Sequence, residues 1–292
     1  KKNLNLCIPY IISIFASILV VIAFFIAIFV AAIPLISSDP TTFQNIEEME
    51  DAQAAEELFD QIQTQLAGLD WQALLPVLLL SLGMILALSL VSSYFNAGAI
   101  GMARQALEEG RSTISSLWPA GRRHFWNMFL LTILMGLISL AGTIFLLPGI
   151  GQITQAFPEI QDSPESLGIL AVGFLLFILY ALLLSIVLSL APYALVIESL
   201  GPVAALKAGI EFFRYNKFDV LILWLVVVAL SLVLQMIGSS FSMGESAAFQ
   251  PLSAITTLAS LLVLAPLANL WWTRLYMNRK GMLKEEEVKD PW

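Results

Sequence analysis

Six long apolar runs, separated by short polar joints, constrain this chain more than any other feature. The first, from Ile8 to Ile36, contains no charged residue. About 20 apolar residues in a helix are enough to cross the hydrocarbon of a bilayer. The others run from Trp71 to about Ile100, Phe125 to Leu147, Leu167 to Ile197, Val220 to about Gly238, and about Pro251 to Trp272. Backbone N–H and C=O groups in lipid must be bonded within the protein, so runs of this length are expected to be α-helices. Composition agrees: 12% of the 292 residues are charged, where a soluble domain carries roughly 25%. The expected fold is all-α, a polytopic membrane helical bundle of six transmembrane helices forming one integral-membrane domain over residues 1–292. The first run is longer than a signal-peptide core and is read as a retained span.

Charge fixes the expected orientation. With both termini on one side, all 14 Lys and Arg residues fall on that side. The opposite loops hold no basic residue, but they hold Asp39 to Asp70, Glu159, Asp162, Glu165 and Glu245 among their acids. The positive-inside rule then predicts a multi-pass protein of the cell membrane with cytoplasmic N- and C-termini, including the charged tail 274–292.

Between the first two runs, residues 40–68 alternate apolar positions such as Phe43, Ile46, Leu58 and Ile62 with an acidic face from Glu47 to Asp60. This pattern predicts an extracytoplasmic amphipathic helix. On the other side lie two cytoplasmic interfacial elbows, 101–124 and 198–219. Each has an Ala-Gly pair before aromatic residues: Ala120-Gly121 before Phe125-Trp126, and Ala208-Gly209 before Phe212-Phe213. In the second elbow Val203, Leu206, Ile210 and Phe213 share a face, which suggests a helix lying along the membrane surface. Small residues four apart, Ser89, Ser93, Ala97 and Gly101, then Ala181, Ser185 and Ser189, predict close helix packing. The fourth run is long for one crossing, so it is expected to tilt or to break at Pro192, and the sixth to bend near Pro266.

No ionisable side chain falls in the middle of a run, which argues against an ion-driven pump. Gln235 and Asn269 are the polar groups hardest to hide there, and they are candidates for lining a polar cavity. Arg122, Arg123, Arg214 and Lys217 are candidate lipid-headgroup or interfacial partners. The sole histidine, His124, sits beside two arginines and reads as a headgroup anchor rather than a catalytic base. Glu198, Glu211 and Asp219 read as local ion-pair partners of Lys207, Arg214 and Lys217. One Cys and one His leave too few ligands for a zinc site, so neither a metal nor a cofactor is expected. The lone thiol, Cys7, reads as a buried structural group. No dense basic stripe supports nucleic-acid binding.

The elbow residues also carry a resemblance. Ala97-Gly98, Gly101-Met102-Ala103, Ala106-Leu107 and Leu117 to Phe125, with Pro192, Glu198, Gly201-Pro202, Ala205-Leu206 and Phe212-Phe213, resemble a diffuse group of archaeal and bacterial multi-pass proteins. That group is similar to the membrane domain found beside some glycerophosphodiester phosphodiesterases. The resemblance implies membership of a largely uncharacterised family. It does not imply phosphodiesterase activity, because the sequence shows no barrel pattern and no metal-binding carboxylate set.

Two functions remain open on these residues. One is a non-enzymatic membrane protein that binds or moves lipid-like or other apolar small molecules. The other is a structural or accessory subunit that packs on other membrane proteins or on itself. Membrane lipids are the partner common to both. The topology has a direct test in a Cys7→Ser background. A membrane-impermeant maleimide should label Glu56→Cys in intact cells, and Lys284→Cys only after permeabilisation; the reverse pattern would invert the orientation.

Overall fold

A computed structural model describes residues 4–36, 71–149, 164–242, 258 and 260–283. The expected acidic helix 40–68, the first part of the sixth run and the end of the tail lie outside the described residues. Every described element is helical. The main helices are α1 (Ile8–Ile36), α2 (Trp71–Glu109), α3 (Leu117–Ala141), α4 (Pro164–Leu188), α5 (Ala191–Ile197), α6 (Pro202–Tyr215), α7 (Lys217–Ser242) and α8 (Ala265–Arg279). Among the described residues, five helical stretches are long and apolar enough to cross a membrane. They fall on α1, α2, α3, α4 with α5, and α7. Phe15, Leu19 and Phe25 on α1 are 65%, 68% and 68% exposed. Such a ridge of large apolar side chains fits a hydrocarbon solvent and not water.

By contacts the chain forms two compact units, Ile14–Val91 and Lys1–Ser13 with Ser92–Trp292. In the first, Gly83 leaves room for the Phe24 ring; a Cβ there would lie 3.2 Å from its Cε1.

The larger unit is held by helix ends. Its core gathers Ala97 and Ile100 of α2, Met128 and Leu131 of α3, all of α5 but Pro192 and Tyr193, Ala205 and Phe212 of α6, Val220 of α7, and Trp272, Tyr276 and Met277 of α8. α2 continues to Glu109 and stops where Gly110 takes the left-handed conformation at φ 72°. α3 starts at Leu117, so the expected first elbow is mostly the ends of two helices. Arg104–Glu108 and Gln105–Glu109 contacts, each four residues apart, extend α2 past its apolar run.

The two Ala-Gly pairs have related packing roles. A Cβ on Gly101 would collide with the Ala120 Cβ, and Gly121 faces the Tyr94 ring. A Cβ on Gly209 would lie 2.9 Å from the Ala191 nitrogen. Each elbow therefore reaches its incoming helix through small residues, as close packing in membranes requires.

α6 buries Ala205, Gly209 and Phe212, while Val203 is 57% exposed. It packs on the bundle through the buried face and leaves the Val203 side uncovered. One expectation is corrected. His124 is buried rather than placed among headgroups. Of the first ladder, Ser93 and Ala97 are buried and Gly101 meets Ala120, while Ser89 belongs to the other unit. In the second ladder, Ala181 and Ser185 are exposed. The close approach on α4 is made instead by Gly173, where a Cβ would collide with the Phe145 carbonyl, and by Tyr180, whose ring covers Gly142 and whose hydroxyl donates to the Ile138 carbonyl at 2.6 Å.

These contacts predict opposite signs for two glycine substitutions. Gly209→Ala places a methyl against α5 backbone and should destabilise by about 1–3 kcal/mol. Gly136→Ala meets nothing within 4 Å, so helix propensity should make it neutral or stabilising by up to about 1 kcal/mol. Thermal unfolding in mild detergent measures both.

Candidate functional site

The larger unit contains a partly open cavity of about 440 Å³. Two helix interruptions position its wall. α4 stops at Leu188, and α5 restarts with Pro192 in its first turn, where the missing N–H costs nothing. The Ser189 hydroxyl donates to the Ile186 carbonyl at 2.8 Å, satisfying a carbonyl at the break. Tyr193 on the new helix then packs beside Trp272 of α8, with ring centroids 6.5 Å apart.

The second interruption is a π-helical turn, Ser260–Leu264, ahead of α8. Pro266 cannot donate to the carbonyl four residues earlier, that of Leu262. The Cys7 thiol supplies the bond, donating to Leu262 at 2.9 Å. One turn further along α1, the Tyr10 hydroxyl donates to the Ala265 carbonyl at 3.3 Å. Cys7 is only half-buried, and its part is to satisfy a carbonyl freed by proline.

The cavity wall is apolar, with flexible Met128 and Met135, and its polar members are Tyr10, Asn96, Thr132, Ser189, Tyr193 and Asn269. No lining residue is charged. The donors of Tyr10, Thr132 and Ser189 are committed to backbone carbonyls. Asn269 is 7% exposed, and its amide oxygen is buried without a hydrogen-bond partner among the described residues. A buried carbonyl left unbonded costs about 1–3 kcal/mol, so this wall is incomplete as an acceptor.

A separate polar cluster ties the helix ends. α5 ends with Ser199 left-handed at φ 54° and the Leu200 N–H bonded to the Leu195 carbonyl; α8 ends the same way, with Gly281 at φ 65° and the Met282 N–H bonded to Met277. Both are Schellman endings. They present Glu198 and Lys280 at equivalent cap positions, 3.0 Å apart. Glu198 also accepts from the Tyr276 hydroxyl at 2.6 Å, and Lys280 lies 5.7 Å from the centre of that ring. Arg279 pairs with Asp219 at 2.6 Å, and Arg104 donates to the Ile197 carbonyl at 3.1 Å. Burial alone would raise the Glu198 pKa, but the Tyr276 hydroxyl and Lys280 outweigh it and hold the carboxyl below its ordinary value.

A family model described as a domain of unknown function, DUF7847, matches residues 58–271. The chain belongs to the DUF7847 family. An uncharacterised protein of Archaeoglobus fulgidus is similar to it, 24% identical over 105 residues, which cover 36% of this chain and 35% of that relative. No solved structure matches. The DUF7847 stretch contains the cavity wall from Asn96 to Asn269, while Tyr10 on α1 and Trp272 on α8 lie outside it.

The two residues singled out as cavity candidates separate. Asn269 is on the wall, but Gln235 is exposed on α7 and is not part of it. The more covered positions of α7 run through Val220, Leu223, Val227, Ser231 and Leu234; Gln235 falls one residue, about 100°, past that stripe. Arg122, Arg123, Arg214 and Lys217 are all exposed, none lines the cavity, and none is in an ion pair among the described residues. The carboxylates Glu198 and Asp219 take their cations from α8, so the expected local pairing is replaced by a tertiary one. Sequence reading passed over Tyr10 and Tyr193, although a tyrosine directly after a helix-breaking proline is a usable signal.

The sign of the Glu198 shift sets a pH dependence. A carboxyl with a lowered folded pKa stabilises above its ordinary value of 4.5, and that stability is lost as pH falls through the lowered value. Glu198→Gln should cost about 1 kcal/mol at neutral pH and should narrow the gap to wild type below pH 4, as read from thermal unfolding across pH.

Proposed function

We propose that this protein is a non-enzymatic, six-span protein of the cell membrane, with both termini cytoplasmic, that binds an uncharged lipid-like molecule in the 440 Å³ cavity. One observation carries the reading: an apolar, uncharged cavity with the buried amide oxygen of Asn269 unbonded on its wall. An apolar wall favours hydrocarbon, and the absence of charge disfavours an ion. Tyr10, Thr132 and Ser189 spend their donors on backbone carbonyls, which leaves the Asn269 oxygen open to a donor from the ligand. A hydroxyl supplies one, and can also accept from the Tyr193 hydroxyl, which makes no hydrogen bond among the described residues. The ligand class is therefore a neutral hydroxyl-bearing amphiphile. Movement of such a molecule between leaflets is the wider form of the same reading.

A second reading, an accessory subunit, draws on the exposed small residues Ala181 and Ser185 of α4. A partner protein held at fixed stoichiometry after purification in mild detergent would favour it.

The test of the cavity uses 1-oleoylglycerol added to the purified protein. Wild type should bind it and gain thermal stability. Asn269→Leu should weaken binding about tenfold, the worth of one hydrogen bond, and Met128→Trp should abolish it by filling the space. Equal affinity in all three proteins, or no binding by wild type, would remove the assignment.

A further inference from the structure

A second cavity, about 410 Å³, is a groove lined only by α7 and α8. It shares no lining residue with the cavity above and does not rest on the proposed function. Asp219 of α7 pairs with Arg279 of α8, which sets the two helices antiparallel at this point. The groove then runs along Ile222, Leu223 and Val226 on one side and back through Leu275 to Trp271 on the other. Its polar residues, Asp219, Arg274 and Asn278, gather toward one end, and the remaining lining is apolar.

The charges at that end do not cancel. The Asp219 carboxylate is committed to Arg279 at 2.6 Å. Arg274 lies one helical turn before Asn278 on the same face. It is exposed and in no ion pair among the described residues, which places an unmatched guanidinium beside an apolar groove. α7 carries a membrane-length apolar stretch, Lys217–Ile237, whose first residues include this part of the groove. A cation at the membrane surface draws anionic headgroups. A phosphate diester is the bilayer's own anion at headgroup level, and a guanidinium matches it with two parallel hydrogen bonds.

We propose that the α7–α8 groove binds one phospholipid, its phosphate held by Arg274 and Asn278 and one acyl chain lying along Ile222, Leu223 and Val226 toward Trp271. The occupant is a lipid rather than free phosphate, because the apolar walls are left open without a chain. Arg274 is long enough to keep its stem on Leu223 and Leu275 while its charge reaches the headgroup.

The experiment is native mass spectrometry of detergent-purified protein after stepwise delipidation and addition of either phosphatidylglycerol or the matching diacylglycerol, which lacks the phosphate. Wild type should retain one phosphatidylglycerol and little diacylglycerol. Arg274→Gln should lower that retention about tenfold, Arg274→Lys should restore part of it, and Val226→Trp should block it by occupying the groove. Asn269→Leu, which acts on the other cavity, should leave it unchanged. Equal retention in Arg274→Gln and wild type would overturn the proposal. So would an equal loss in Arg122→Gln/Arg123→Gln, which would mark generic surface charge, or equal retention of diacylglycerol, which would show that the phosphate is not read.

Discussion

A carbonyl freed inside an apolar solvent must find a donor, and much of this protein's central architecture follows from where proline frees one. Pro266 releases the Leu262 carbonyl, and Cys7 bonds it. Together with the Tyr10–Ala265 bond, this ties the start of the chain to a helix more than 250 residues later. In water such a carbonyl would be solvated and no such tie would be needed; in hydrocarbon the unbonded group is costly. At the second interruption, α5 restarts after Leu188 with Pro192 in its first turn, and the Ser189 hydroxyl covers the Ile186 carbonyl. Both interruptions border the same cavity, because Tyr193 follows one and Ala265 to Asn269 follow the other. The devices that repair the backbone thus also build the wall.

Packing rests on a second constraint. Helices in lipid gain little from burying more hydrocarbon, so close backbone approach has to supply the contact. Gly101 against Ala120, Gly209 against Ala191, and Gly173 against the Phe145 carbonyl are the places where this chain achieves it. The two Ala-Gly pairs belong to different hairpins yet serve the same geometric end, which gives their shared sequence pattern a physical meaning. At the helix caps, Glu198 and Lys280 add a directional tie between two Schellman endings, and Tyr276 beneath them keeps the carboxylate hydrogen-bonded. The same two features, small residues and capped ends, make the larger unit specific in a solvent that does not itself select one arrangement.

How much of this was legible in the sequence differs by element. The helix at Ile8–Ile36 was readable, because an uncharged apolar run in lipid must bond its own backbone. The breaks at Pro192 and before Pro266 were readable because proline lacks an N–H. The extension of α2 to Glu109 and the early start of α3 were not, since hydropathy marks the slab of hydrocarbon and not the ends of helices. Spacing shows which residues share a face, but not which face has a neighbour: on α4, Ala181 and Ser185 are exposed, and Gly173 makes the close approach. Asn269 and Gln235 looked equivalent as polar groups in apolar runs, but Asn269 lies on a cavity wall, while Gln235 is exposed, about 100° past the more covered stripe of α7.

The sequence by itself determined the solvent, the helical class, the approximate spans and the positions of the breaks, because each depends on local chemistry: charge, hydropathy and the proline ring. Tertiary structure decided which carbonyl Cys7 satisfies, that Glu198 and Asp219 draw their cations from α8, and that an uncharged cavity gathers residues from five helices. Those features depend on which helix faces meet. In a chain made almost wholly of apolar residues, pattern leaves many faces nearly equal, and only the packed arrangement chooses among them.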